Sequence, residues 1–486
     1  MITIFEPSAV QPSAMALDPA AFETIVPSRY ITFTLPNPLL HHNHFTSSLL
    51  RIAVIDSPTA TSPTSIAAML VPLLRESDWT FSTESGSVQL ILSFPQISRL
   101  VLIGNCPDSP HATSYKPPLH TNLSSETSVI EDMLMPLLLA LCPKESFHQT
   151  GSRPPQIPFL TYEDEVIRSH ILETCIGDHV GEMVVEDVEL EAVDDDREFR
   201  RRLRFKRMPH LIQTQIRIHP DSPNFDELET VNFIVDNEVL VHPYLTPMVA
   251  GLSVIASYLD ERIQRGFRPK ALCLGVGGGA LLSFLNSQLN FDVLGVEEDE
   301  SVLRIARKYF GLKDSESIRL CIGDGMDMIR KLDIDAKKDS ILGNVDGKFD
   351  AIMVDLDSSC AGMETSAPPP EFIQKPILLA AKRVLSEHGV IIINFIPLSK
   401  RFYETLINEF QGVFEELYEV DVVDNDNVVV IATQLKTGRV SGDSDNSFLC
   451  KLESAIGGAY MDSIGVLSCA AAGGQGLGES ANYVVS

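Results

Sequence analysis

Ten residues, Ala271-Leu-Cys-Leu-Gly275-Val-Gly277-Gly278-Gly279-Ala280, restrict the folds open to this 486-residue chain more than any other stretch. Four apolar residues of strand character run into a glycine cluster. Leu281-Leu-Ser-Phe-Leu285 then continues with helical spacing, so the element reads as strand, tight turn and helix. Glycine lets such a turn adopt positive φ and approach a ligand closely, and the amides that open the next helix are expected to offer unpaired donors. The element is either a nucleotide-binding turn or a packing turn that binds nothing.

The surrounding pattern favours the first. From residue 271 onward, strand patterns at 271–275, 292–297, 318–322, 349–355 and 389–395 alternate with helical ones such as Ser301-Val-Leu-Arg-Ile-Ala-Arg-Lys308. That alternation predicts an α/β fold with a doubly wound parallel sheet. A terminal antiparallel hairpin at 414–423 and 427–433, turning at Asp424-Asn-Asp426, closes it. Three regions precede this domain, which spans 241–436 and opens with a helical pattern at 244–260. Residues 1–48 form a variable segment with a strand pattern at 30–34. Residues 49–156 read as a small α/β unit: strands at 51–56, 88–93 and 99–104, helical patterns at 65–74 and 130–141, and Pro/Ser/Thr-rich loops at 107–128 and 143–156. Residues 157–240 read as β-rich. There an acidic strand (182–188) returns through Asp194-Asp-Asp196 into the basic strand Phe199-Arg-Arg-Arg-Leu-Arg-Phe-Lys-Arg207, so opposite charges face each other across a hairpin. Residues 437–486 read as a flexible tail with a short helical pattern at 447–456.

Four strand ends carry acids in register with the glycine turn. Glu297 closes the second strand, at the position where a carboxylate accepts both ribose hydroxyls of an adenosine. Asp324-Gly325 follows the third, where an acceptor reaches an adenine amine. Asp355 and Asp357 close the fourth, beside the reacting group. Singly, each reads equally as a helix cap, a turn residue or a solvated strand end. Gly275, Gly277 and Ala280 also satisfy G-x-G-x-x-[GA], the dinucleotide pattern, but an acid after each later strand suits a single adenosine with a polar reacting centre.

A formal charge of −28 disfavours nucleic acid and favours a basic protein partner. No apolar run approaches the roughly 18 residues of a membrane span. The first thirty residues hold Glu6, Asp18 and Glu23 against a single Arg29, unlike a secretory or organellar leader, so a cytoplasmic protein is expected. The eight cysteines show no CxxC spacing and read as buried thiols, with neither disulfides nor a metal site expected.

The segments Gly275-x-Gly-Gly-Gly, Gly295-Val-Glu297, Ile322-Gly-Asp-Gly325 and Phe349-Asp-Ala-Ile-Met-Val-Asp355 resemble the spermidine-synthase-like branch of class I S-adenosylmethionine-dependent methyltransferases, with their Rossmann-like sheet. Asp355-Leu-Asp-Ser358 with Pro368-Pro-Pro-Glu-Phe372, Arg75-Glu-Ser-Asp-Trp-Thr-Phe81 and Phe199–Phe205 upstream, is similar to the carboxyl half of the dual methyltransferase family that modifies translation elongation factor 1-alpha. The resemblance covers about residues 50–435. It implies S-adenosyl-L-methionine as cofactor, held by Gly275, Gly277, Gly278, Gly279, Glu297, Asp324 and Gly325, with Asp355 and Asp357 orienting the incoming ammonium. The family's carboxyl-terminal domain methylates the factor's N-terminal α-amine and its other domain a lysine. No room for the latter precedes residue 50, so the α-amine is the expected target, with a lysine as the variant. An ordinary aspartate is too weak a base to hold the amine proton, which is expected to pass to water. The triple proline 368–370 reads as a stiff rim. The fold branch also implies a homodimer. Against polyamine synthesis, Ala280 replaces the aspartate after the glycines, and Tyr244-Leu-Thr-Pro-Met248 lacks the glutamate of the aminopropyltransferase Tyr-x-Glu-Met segment. An aminopropyltransferase and a non-catalytic binding protein remain the alternatives.

Overall fold

A computed structural model describes residues 19–467 apart from 41–44, 60–63, 107–113, 116–123, 151–153, 163, 192–196, 223–224, 343–347, 359–364, 398, 423–426 and 437–445. The turns expected at 194–196 and 424–426, and the stretch beyond 467, lie outside the described residues. The chain divides into two compact units, 1–169 with 208–210, and 170–207 with 211–486.

The first unit is built on a sheet whose strands run in the order Tyr30–Pro36, Leu49–Asp56, Arg99–Asn105, Ile66–Leu70, Phe159–Leu160. Both faces are covered. Ile52, Val54, Val101 and Ile103 pack with Ile130, Leu134 and Leu138 of the helix Ser124–Ala140 on one side. Ala53, Ile55, Leu100 and Leu102 pack with Phe81, Leu90 and Ile91 on the other. Successive side chains of a strand point to opposite faces, so strands covered twice become continuous apolar runs.

Several local expectations change here. Residues 65–74 contain a buried strand, Ile66–Leu70, parallel to Arg99–Asn105, because a short apolar run takes the form its neighbours pair with. Of residues 88–93, all but the capping Ser93 lie in the helix Glu84–Leu92, started by the Thr83 hydroxyl accepting from Gly86 N–H at 3.1 Å. Within 143–156, expected as loop, Lys144–Thr150 is helical. The strand Tyr30–Pro36 pairs along its whole length with Leu49–Asp56, so the sheet begins ahead of residue 48.

In the second unit the seven long strands of the main sheet lie in the order Ile318–Ile322, Asp292–Glu297, Lys270–Leu274, Phe349–Val354, Leu385–Pro397, Val428–Thr433, Glu416–Asp421, with the two-residue strand Gly465–Val466 antiparallel beyond the last. The first five are parallel and the last two antiparallel. Numbered along the chain the order is 3-2-1-4-5-7-6, a Rossmann-like sheet closed by a hairpin. Alternate residues feed two cores: Ala271, Cys273, Ala351 and Met353 face the helices Leu245–Ala250 and Ala256–Gln264, whereas Leu272, Leu274, Ile352 and Val354 face Lys375–Val384 and Lys400–Gln411. The direction of strand order reverses between Lys270–Leu274 and Phe349–Val354, which opens a crevice at their carboxyl ends.

The β-rich stretch belongs to this unit. An antiparallel sheet runs Phe233–Asp236, Ile212–Pro220, Glu198–Phe205, Gly181–Leu190 and Val166–Gly177, the last strand entering the unit at His170. Its Met183, Val185, Leu203 and Ile216 pack on Val302, Ile305 and Phe310 of the helix Glu300–Tyr309 and its end. The expected charge pairing across the hairpin is present: Arg201 with Asp187, Arg204 with Glu186, and Lys206 with Glu182. Residues 446–467 are not a tail. Asp260 accepts from Phe448 N–H at 3.1 Å, and Phe448, Leu452 and Ile464 are buried in the core of the sheet.

Candidate active site

The glycine turn closes on itself. Gly275, Gly277 and Gly279 have φ of +85°, +52° and +81°, values that non-glycine residues rarely adopt. At Gly275 a Cβ would stand 2.0 Å from the carbonyl oxygen of Asp355, so only glycine lets the two parallel strands end side by side. The N–H groups of Val276 and Gly277 donate to Glu297 Oε2 at 3.1 and 3.3 Å. Gly278 N–H donates to Thr214 Oγ1 at 2.9 Å, and Gly279 N–H to Val276 O at 2.8 Å. The N–H groups of the turn itself, from Val276 to Gly279, are therefore engaged within the chain. A pyrophosphate would find these turn amides occupied, which disfavours the dinucleotide reading. Glu297 also accepts Asp299 N–H at 3.2 Å; burial lifts its pKa, and the three amides pull it back.

Two carboxylates stand across the crevice in unlike environments. Asp355 is anchored by its own N–H to Leu274 O at 2.8 Å. Its Oδ2 accepts from the Tyr244 hydroxyl at 2.9 Å and its Oδ1 from Asn394 Nδ2 at 3.0 Å. Asn427 donates to Asn394 Oδ1 at 2.5 Å, which turns the Asn394 amide toward the carboxylate. Burial raises the Asp355 pKa to about 6, against the two hydrogen bonds that favour its charged form. Its neighbour Tyr244 is pushed well above the ordinary tyrosine value by burial and by Asp355. Asp357 instead takes a guanidinium: Arg207 donates to its Oδ2 at 2.5 Å. Burial still raises Asp357, and Arg207 opposes that rise.

These groups line one cavity of about 480 Å³. Its walls include Gly275, Gly277, Glu297, Asp324, Gly325, Asp355, Asp357, Tyr244, Asn394 and Arg207. Its size is that of a small-molecule site. Gly278 and Gly279 are not in the wall. Gly278 is packed against Thr214 and Phe310, and Gly279 starts the helix Ala280–Ser287 beside Leu312. Asp324 has a double position: Oδ1 caps the helix Gly325–Leu342 through Asp327 N–H at 2.7 Å, while the residue faces the cavity. Of the proline segment, Pro369 and the following Glu371 reach the rim.

Tyr244, Asn394, Arg207 and Gln213 were absent from the sequence-derived site. Asn394 had a visible signal, a lone amide in the run Val390-Ile-Ile-Ile-Asn-Phe395. Arg207 and Gln213 come from the antiparallel sheet and carry no local mark. His242 supports them from behind: its Nε2 meets Ile212 O at 2.9 Å, its ring lies 4.4 Å from that of Tyr244, and burial lowers its pKa to about 4.

No family model matches the sequence. The eEF1A lysine and N-terminal methyltransferase of Danio rerio is 25% identical over 391 residues, which cover 77% of this chain and 52% of that protein. The polyamine aminopropyltransferase of Vibrio vulnificus is 26% identical over 196 residues, covering 40% of this chain and 56% of that protein. The crystal structure of human methyltransferase-like protein 13 in complex with SAH is 25% identical, covers 44% of this chain and 92% of that chain, and has a TM-score of 0.39. The chain spans about half the length of the curated eEF1A methyltransferases it matches, and the similarity extends over about three quarters of its own length.

Proposed function

We propose that this chain is an S-adenosylmethionine-dependent N-methyltransferase whose acceptor is a protein amine, the N-terminal α-amine of elongation factor 1-alpha, with a lysine of that factor as the variant. The observation that carries the reading is Asp355, a carboxylate of raised pKa at the junction of the two central strands, facing a cavity walled by the glycine turn. The cavity fits the cofactor on its own chemistry: turn amides without a free phosphate cradle, a carboxylate at the ribose position, and a volume that suits one adenosine. Glu297 would hold the ribose, Gly275 and Gly277 leave space beside it, and Asp324 and Gly325 border the base. Bound there, S-adenosylmethionine supplies an electrophilic methyl group.

The chain's own contribution is at the amine. An amine must be neutral to attack, and an α-amine has a reference pKa of about 8, below that of lysine. Asp355 accepts a hydrogen bond from the arriving ammonium. With its pKa near 6 rather than 3.8, the mismatch to an α-amine shrinks to about two units, so proton transfer to Asp355 becomes a working step. Tyr244 and Asn394 keep the carboxylate in one rotamer, and positioning of the nitrogen supplies the larger share of the rate. The reading includes a basic protein substrate, since six carboxylates line the cavity or its rim, together with a cytoplasmic location, a homodimer, and no nucleic-acid or membrane partner.

Calorimetric titration with SAH combined with turnover separates the roles. Asp355→Asn is expected to keep SAH affinity within about threefold and to lose at least about a hundredfold in methyl transfer. Glu297→Ala is expected to lose SAH affinity. Full activity in Asp355→Asn refutes the assignment.

A further inference from the structure

Among the described residues, the cavity wall holds six carboxylates, Glu297, Glu298, Asp324, Asp355, Asp357 and Glu371, but only one permanent cation, Arg207. Arg207 follows the strand Glu198–Phe205 by two residues, and its guanidinium lies 5.3 Å from the Phe205 ring centre. The antiparallel sheet thus delivers a fixed positive charge to the carboxylate just beyond Asp355. The consequence is an asymmetry. Asp355 is held by neutral donors, Tyr244 and Asn394, and keeps its charge available. Asp357 is already matched by the Arg207 guanidinium, a charge-assisted contact. Glu298 and Glu371 are exposed at the rim, where an ion pair contributes little.

We propose that Arg207 sets the acceptor class: by occupying Asp357 it leaves one anionic acceptor beside the reaction centre, so that the site takes a substrate with a single ammonium at its reacting end and excludes aliphatic diamines. This rests on the amine-methyltransferase reading above. A diamine entering with one ammonium on Asp355 must place its second near Asp357. There it meets the guanidinium at close range and has to break a charge-assisted hydrogen bond before it can form its own. A peptide amine carries no such second charge on the same short chain.

The test is titration of 1,4-diaminobutane and of 1-aminobutane into the SAH-saturated protein, in parallel with their inhibition of methyl transfer to an acceptor peptide. Arg207→Gln frees Asp357 and is expected to bind the diamine at least about tenfold more tightly than wild type, with the monoamine changed by less than about threefold. Arg207→Gln/Asp357→Asn is expected to return to wild-type discrimination, and Arg207→Lys, which keeps a cation, to retain it. Equal diamine affinity in wild type and Arg207→Gln overturns the proposal, as does a gain that persists in the double variant. The titration does not depend on turnover. A wild type that transfers no methyl group while Arg207→Gln gains diamine affinity therefore sinks the enzymatic reading and spares the role of Arg207.

Discussion

Gly275 and Gly266 share a φ of +85° but not their surroundings, which makes them a matched pair. A Cβ at Gly266 meets nothing within 4 Å, whereas a Cβ at Gly275 would lie 2.0 Å from Asp355 O and 2.9 Å from Asp355 C. Gly266→Ala therefore pays only for the left-handed backbone, about 1 kcal/mol. Gly275→Ala adds an overlap that is relieved only if the Asp355 backbone retreats by about 1 Å. That backbone is pinned by its N–H to Leu274 O, and its side chain by Tyr244 and Asn394. Overpacking of this kind costs a further 1–3 kcal/mol or so, for a total of about 2–4 kcal/mol. The damage falls on both halves of the site, since the same shift opens the turn and swings the carboxylate. Urea unfolding followed by circular dichroism reads the stability, and because the only tryptophan, Trp79, lies in the first unit, its emission serves as an internal control. Gly275→Ala should also weaken SAH at least about tenfold, and Gly266→Ala should leave it unchanged. Indistinguishable midpoints and affinities would show that the close approach of turn and strand end does not build the site.

Other perturbations follow from the same contacts. The folded-state pKa of Asp355, about 6, exceeds its unfolded value, so the folded protein holds the extra proton between about pH 4 and 6 and loses stability as pH rises through that window. Asp355→Asn should thus raise the unfolding midpoint at pH 8 while activity falls, a gain that a wild-type-like midpoint would exclude. Asn394→Leu removes a donor to the charged form, so the acid limb of the kcat/KM profile should move to higher pH. His242 runs the opposite way: its folded pKa of about 4 lies below the unfolded value, so stability is lost as pH falls from about 6.5 toward 4, and His242→Gln should flatten that slope in acid unfolding. Asp187→Ala strands the largely buried Arg201 guanidinium and should cost about 3 kcal/mol, most of it recovered in Asp187→Leu/Arg201→Met, as a double-mutant cycle would read.

The parts of this molecule that were legible in the sequence are those encoded over short distances. The glycine turn, the alternating strands and helices after residue 271, and the acids at Glu297, Asp324, Asp355 and Asp357 each sit within one strand-turn unit, and the structure brings the acids to one cavity. The charge pairing of residues 182–188 with 199–207 was likewise visible, because alternation in a hairpin fixes which side chains meet. What escaped was convergence. Asp355 is held by partners 111 and 39 residues away, Tyr244 and Asn394, which oppose the rise that burial gives its pKa, and Asp357 meets an arginine 150 residues upstream. Short apolar runs were ambiguous for another reason: Ile66–Leu70 is a strand only because Arg99–Asn105 is there to pair with it. The contact that fills the Gly278 donor likewise had no local mark, because Thr214 comes from a different sheet.

The central claim is tested most directly by incubating the protein with methyl-labelled S-adenosylmethionine and purified elongation factor 1-alpha, then mapping the label by mass spectrometry, with a 1,4-diaminobutane reaction on decarboxylated cofactor in parallel. The account predicts label on the N-terminal peptide, abolished in Asp355→Asn; label on an internal lysine keeps the enzyme class and moves the target. No label on the factor, with aminopropyl transfer to the diamine, would contradict it.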